Sequence, residues 1–383
     1  MAEKQMKAGW RTWRFEQMVT NVNVRIDKPS ESGMEHYVGL EHLDPDSLRI
    51  RRWGSPDDVE AGKLFFKTGD IIFAKRRAYQ RKLGVAEFDG ICSAHAMVLR
   101  AKTEVVLPDF LPFFMQSDLF MKRAVEISVG SLSPTINWKT MAVQEFSLPP
   151  ITEQGRSVEL LSAVEVQIES VITARFATEK LRKSVALDAF SSIDSPKVKM
   201  GTVADIRNGT TPRRVREDYW KGSTPWLPTG KVNERIIEAA DEFITDKALT
   251  ECPLTLIPAG ATLVAMIGEG QTRGRAAMLA LDACINQNFG AVIPSKAIDP
   301  WYLFYLLESN YEALRHWSQG TNQHALSCGL LKEFPIPVPS LERQQEIVES
   351  IKAIEAGERL LAYRLTKAIE MRHVAHRMAL SVG

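Results

Sequence analysis

The chain has few cysteines, no long apolar run and almost no net charge, and each shortage removes a class of protein. Its four cysteines, Cys92, Cys252, Cys284 and Cys328, stand far apart with no Cys-x-x-Cys pair. Such spacing builds neither a disulfide framework nor a structural zinc site. His324 precedes Cys328 by one helical turn, but a buried thiol is the plainer reading of that cysteine. No apolar run reaches the roughly eighteen residues of a membrane span. The opening stretch, MAEKQMKAGWRTWRF, lacks the apolar segment of a secretory signal, so cytoplasmic residence is expected. A net charge of +1 excludes a polyelectrolyte that coats nucleic acid by charge alone.

Motifs for chemistry are equally scarce. The stretch from Gly268 to Gly274 holds two glycines of a dinucleotide fingerprint, but the third comes one residue late and no helix pattern follows. Gly230-Lys231 is followed by Val232 where a phosphate-cradling loop needs Ser or Thr. The Asn-Pro-Pro-aromatic and Asp-Pro-Pro-Tyr motifs of adenine methyltransferases are absent. The acids of Pro56-Asp57-Asp58-Val59-Glu60 crowd too closely for a nuclease centre, and Lys63 falls one position late. His373 and His376 on the last helical stretch have no companion at ligand spacing and read as a polar flank.

What the chain does have is the same layout twice. One copy exits through Phe146-Ser147-Leu148-Pro149-Pro150-Ile151-Thr152-Glu153-Gln154, the other through Phe334-Pro335-Ile336-Pro337-Val338-Pro339-Ser340-Leu341-Glu342-Arg343-Gln344. The offset of about 190 residues is too long for a solenoid and suits a duplicated domain. Each copy opens with a short apolar-polar segment, Trp13–Val19 or Val198–Ala204. Matching strand signals follow: Gly69–Lys75 against Gly260–Met266, then Phe88–Ser93 against Leu281–Asn286. After a proline come helical apolar stretches, Phe110–Met115 and Trp301–Leu307, then Gly-led loops at Gly130 and Gly320. Each copy therefore reads as a mixed α/β (α+β) module of about 150 residues.

The segments after the exits are of another kind. Leu161 and Ile168, like Val164 and Val171, lie one heptad apart, and Leu181 and Val185 continue the stripe. In the last segment Ile347, Ile354, Leu361 and Ala368 form a strict heptad row beside Ile351 and Leu365. These are coiled-coil seams, interrupted at Arg175, Thr178 and Glu358. Two helices of ~55–60 Å are expected to pack on each other, and an antiparallel pair would set the modules at opposite ends of a rod. The expected partition is 1–150, 151–192, 193–339 and 340–383.

Together these features resemble the specificity subunit of type I restriction–modification systems, over essentially the whole chain. The resemblance rests on the two proline exits with their helix entries and on Gly209-Thr210-Thr211-Pro212, Thr224-Pro225-Trp226 and Gly230-Lys231-Val232. Asn286-Gln287-Asn288 and Gly320-Thr321-Asn322-Gln323 add to it. The first module has Tyr37-Val38-Gly39-Leu40 in place of the Gly-Thr-Thr-Pro opening, and Arg343 stands where Glu is usual. The resemblance implies two target recognition domains, each reading half of a split double-stranded DNA target. The helices would be the spacer and the docking surface for two methyltransferase subunits, with restriction/translocase subunits beyond them. The chain itself would then be non-catalytic and hold no cofactor, S-adenosylmethionine and ATP with magnesium belonging to the partners.

The residues offer suitable contacts. From Gly62 to Leu83 seven basic residues face one acid, Asp70. Arg suits guanine, and Asn or Gln adenine, while most contacts go to phosphate. The candidates are Lys75, Arg76, Arg77, Arg81 and Lys82 in the first module. In the second they are Arg213, Arg214, Trp226, Lys231, Arg273, Arg275, Gln287 and Gln323. Two other readings stay open: the recognition part of a fused restriction–modification enzyme or nuclease, and a coiled-coil scaffold that does not bind DNA.

Overall fold

The computed structural model describes residues 7–268, 270–317 and 325–380. It divides into two compact units, Met1–Ile172 with Tyr363–Gly383, and Thr173–Ala362. Two long helices, the central helix Ile151–Ser191 and the last helix Leu341–Leu380, each contribute one part to each unit.

In the first unit the strand Val19–Val22 pairs with Ala96–Ala101, which pairs with Ile71–Ala74 and that in turn with Leu83–Val85, all antiparallel. A second sheet orders Arg25–Ile26, Lys63–Phe66, Gly90–Cys92 and Tyr37–Val38, the last pair parallel. The core between sheet and helices is aromatic: Phe15, Phe73, Phe114, Phe120 and Phe146 pack edge-on or tilted with neighbouring centroids 5.2–6.0 Å apart.

The second unit repeats this construction. Ala204–Asn208, Phe289–Pro294, Thr262–Ala265, Ala276–Leu279 and Ile236–Ile237 form its larger sheet. Glu242–Ile244, Trp220–Leu227 and Cys284–Ile285 form the smaller one, again with one parallel pair. Gly69 and Gly260 turn into equivalent strands at φ +87° and +88°, a conformation that favours glycine. The stretch after Gly268 leads into the strand Ala276–Leu279, not into a helix.

Each module is closed where its opening segment meets its proline exit. Arg11–Arg14 pairs antiparallel with Glu145–Leu148, and Lys197–Lys199 with Pro335–Pro337. Directly beyond, Gln154 accepts from Leu107 N (2.9 Å) and donates to Val105 O and Pro149 O (3.1 and 3.0 Å). Gln344 repeats this with Asp299 N (2.7 Å), Ala297 O and Pro339 O (3.1 and 2.9 Å). Both amides are fully buried, which explains the Gln at each helix entry. The irregular neighbour, Arg343, is exposed and pairs with Glu346, so its departure from Glu costs the latch nothing.

The helical seams differ between the units. In the first, Leu161, Val164 and Ile168 of the central helix share an apolar cluster with Ala368 and Ala375 of the last helix and with Phe113. In the second, Ala186 joins Ile347, Val348 and Ile351. Early residues of one helix thus meet late residues of the other, an antiparallel pairing.

Two expectations need correction here. Leu181 is exposed, and its neighbour Arg182 is buried instead, bonding Glu358 (3.1 Å) and Glu308 (3.2 Å). The interruption at Glu358 is therefore an ion pair inside the seam. His376 is buried too, with its ring edge-on to Phe113 at 6.4 Å, where a polar flank was expected. Burial, with Arg372 beside it, pushes its imidazole down to about 4.

Candidate nucleic-acid interface

In the first module the stretch from Lys75 to Lys82 is the loop between two core strands, and it is pinned to the loop Val129–Ile136. Ile136 N donates to Lys75 O (2.9 Å), Arg77 N donates to Pro134 O (2.7 Å), and Arg76 bridges Thr135. Arg77 holds a left-handed φ of 59° and donates to Ser133 Oγ from Nε and Nη2 (3.2 and 3.1 Å). Val129 and Leu132 of the facing loop are 79% and 90% exposed, so the paired loops offer cations beside uncovered apolar side chains.

The candidates of this module separate sharply. Lys75 is half-buried and, among the described residues, its ammonium has no hydrogen-bond or ion-pair partner; burial pushes its pKa down. Arg76 is half-buried and Arg77 exposed. Arg81 is already committed, to Asp46 (2.6 Å), Asp118 (3.0 Å) and Gln116 O (2.6 Å). Lys82 donates to Leu40 O (2.9 Å). The last two hold the loop in shape, and the charge of Arg81 is met by Asp46 and Asp118 within the module.

Lys75 also lines an open cleft of about 670 Å³ with Asn21, Asn23, Asn137, Trp138 and Thr140. The amides of Asn21 and Asn23 make no side-chain hydrogen bond among the described residues, whereas Asn137 caps the helix Trp138–Ala142 through Lys139 N (3.0 Å). Sequence reading missed this group. The signal was there: in Val19-Thr20-Asn21-Val22-Asn23-Val24 the two asparagines alternate on one face of a strand.

In the second module several expected readers prove to be architecture. Trp226 lies in the strand Trp220–Leu227, is 1% exposed and donates from Nε1 to Thr210 O (3.0 Å). Lys231 is buried, with Nζ on Glu234 and Asp241. Arg273 is buried and its carbonyl accepts from Arg315 (3.1 Å). These three are not displayed to a ligand because their side chains are packed inside the module. Gly209 has a comparable role: a Cβ there would lie 1.8 Å from Ile285 O. Asn286 is bonded to Thr229 (2.8 Å).

The remaining candidates are exposed or half-exposed. Arg214 pairs with Glu242 and stacks over Trp220 (3.9 Å) and Trp226 (4.8 Å). Arg275 donates to Asn233 (2.6 Å) and Gln271 (3.1 Å). Gln287 accepts from Thr211 (2.7 Å) and so ties its loop to the one carrying Arg213. Arg213 is exposed, and its side chain has no partner among the described residues. Gln323 lies outside the described residues, as does His324. Among the described residues no group of three metal-ligating side chains is present, and no helix is long and apolar enough to cross a membrane.

Two modules closed by the same clasp, each with its own set of loop cations and amides, have the architecture of a duplicated DNA specificity domain. The chain belongs to the family described as type I restriction modification DNA specificity domain, whose pattern matches residues 59–175 and 193–371. It is 25% identical over 237 residues to the type I restriction enzyme EcoR124I/EcoR124II specificity subunit of Escherichia coli, covering 60% of this chain and 57% of that one. It is 32% identical over 154 residues to the MjaIX specificity subunit of Methanocaldococcus jannaschii, covering 39% of this chain and 35% of the relative. The alignments thus span 57% and 35% of these relatives' lengths.

Solved structures carry the same fold. A chain from a study of complex assembly and conformational transition in the type I R-M system superposes with a TM-score of 0.62 at 20% identity, covering 98% of each chain. The type I restriction-modification S subunit from M. genitalium gives 0.57 at 13%, covering 99% of this chain and 98% of that one.

Proposed function

We propose that this chain is the DNA sequence-specificity subunit of a type I restriction–modification complex, one module for each half of a bipartite double-stranded target. It supplies the address and performs no chemistry itself. Two methyltransferase subunits use S-adenosylmethionine, and restriction/translocase subunits use ATP with magnesium, all working on DNA in the cytoplasm. The observation that carries the reading is the division of labour between positions. The modules share their closing strands, glutamine latches and parallel strand pair, and they differ where side chains are left for a ligand, as with Lys75 and Arg77 against Arg213 and Gln287.

Methylation sequencing tests this. A host carrying the chain with its methyltransferase partner is expected to show one bipartite methylated motif that disappears when this gene alone is deleted. Persistence of every motif would refute the assignment.

A further inference from the structure

The two modules can be aligned residue by residue through their strand registers. Asn21 lies opposite Leu99, which lies opposite Ile71; Ile206 lies opposite Val292, which lies opposite Thr262. Lys75 follows the strand Ile71–Ala74, and Met266 follows Thr262–Ala265. The next contact agrees, since Ile136 N donates to Lys75 O and Leu326 N donates to Met266 O, each at 2.9 Å. Asn137 and Ser327 then cap equivalent short helices.

Across this alignment the chemistry is reversed. In the second module Ile206, Met266 and Leu326 belong to one buried apolar cluster. In the first module, Asn21 and Lys75 take the places of Ile206 and Met266 and line the open cleft. A half-buried ammonium and the half-buried Asn21 amide, both without a partner among the described residues, are costly to keep beside a core unless something binds there, and the exposed Asn23 stands at the mouth of the same cleft.

We propose that this cleft is a base-reading subsite of the first module: Asn21 and Asn23 address an adenine edge and Lys75 the O6/N7 edge of a neighbouring guanine. Phosphate contacts come most readily from exposed cations, which the adjoining loop supplies in Arg77. A recessed lysine flanked by amides that both donate and accept is suited to telling bases apart. The second module, closed at this place by Met266, reads its half of the target with other groups. This inference rests on the DNA-specificity reading given above.

The test is methylation sequencing of the complete complex carrying Asn21→Ile, Lys75→Met, or both. Each change copies the residue that the second module already tolerates, and thermal melting of each variant confirms that it folds. One half of the bipartite motif is expected to degenerate at one or two positions, by roughly 10- to 100-fold in base preference, with the other half unchanged. An unchanged motif in folded variants would overturn the subsite. So would a uniform loss of affinity at every sequence with a salt slope lowered by about one, the mark of a phosphate contact. A wild-type complex that methylates no bipartite motif would overturn the functional reading itself and the subsite with it.

Discussion

Gln154 and Gln344 are single residues on which whole modules are hung. Each satisfies one backbone donor and two backbone acceptors where a segment of the module body meets the start of a long helix. Truncating either leaves those groups buried without partners, at a cost of about 1–3 kcal/mol for the most buried of them. Gln154→Ala and Gln344→Ala are each expected to lower stability by about 3 kcal/mol in urea unfolding, while Glu153→Ala and Arg343→Ala, at exposed neighbouring positions, change it by less than about 0.5 kcal/mol. His376 makes a different residue-scale prediction. Its folded value of about 4 lies below the ordinary 6.5, so the unfolded chain binds the extra proton first. Stability contributed by the neutral ring is complete above pH 6.5 and is lost as pH falls toward 4. Wild type should lose up to about 1.4 kcal/mol per pH unit in that window from this group, and His376→Phe should flatten the slope. Equal slopes for both proteins would sink the idea.

At the scale of elements, the modules attach to the helices by different physics. The first unit uses Leu48 and Phe113 in an apolar cluster, with Arg372 reaching Glu165 (3.3 Å) and Asp46 O (2.5 Å). The second uses a network in which Arg235 holds Glu308 and Glu355, Arg182 holds Glu308 and Glu358, and Tyr305 donates to Glu355 (2.8 Å). Burial pushes the Tyr305 phenol upward, and the Glu355 carboxylate beside it pushes the same way. Breaking one partner strands the others, so Arg235→Ala is expected to cost about 3–5 kcal/mol. Arg235→Met combined with Glu355→Leu should recover much of that loss, and calorimetric melting of the three variants compares them. This network also marks the limit of what the sequence disclosed. The duplication, both long helices and the strand pairs were legible because prolines, glycine turns and apolar periodicity are local signals. That Arg182, and not Leu181, faces inward was not, because a heptad count is blind to an arginine whose charge is met by acids far away in the chain. The same holds for Trp226, Lys231 and Arg273: residue type suggests a reader, and only tertiary partners reveal a core residue.

For the whole molecule, duplication implies that the modules are interchangeable as readers but not as fittings. The strand registers place Leu48 where the second module has Arg235: Val85 N donates to Leu48 O and Met278 N to Arg235 O, each at 2.8 Å, and Val85 and Met278 pair with equivalent strand residues. Grafting residues 200–334 in place of 15–144, the bounds that keep both closing strands whole, would therefore carry Arg235 and Glu308 into a setting built for Leu48, without Arg182 and Glu355. A half-buried arginine and glutamate short of their partners cost about 3 kcal/mol or more, so the plain graft is expected to melt below wild type. The same graft with Arg235→Leu and Glu308→Leu removes the charges and should melt within a few degrees of wild type. With its methyltransferase partner it should direct methylation to a motif carrying the same half-sequence on both sides. Folded grafts that still mark two different halves would show that sequence is read outside the modules, and would remove the basis for treating them as separate readers.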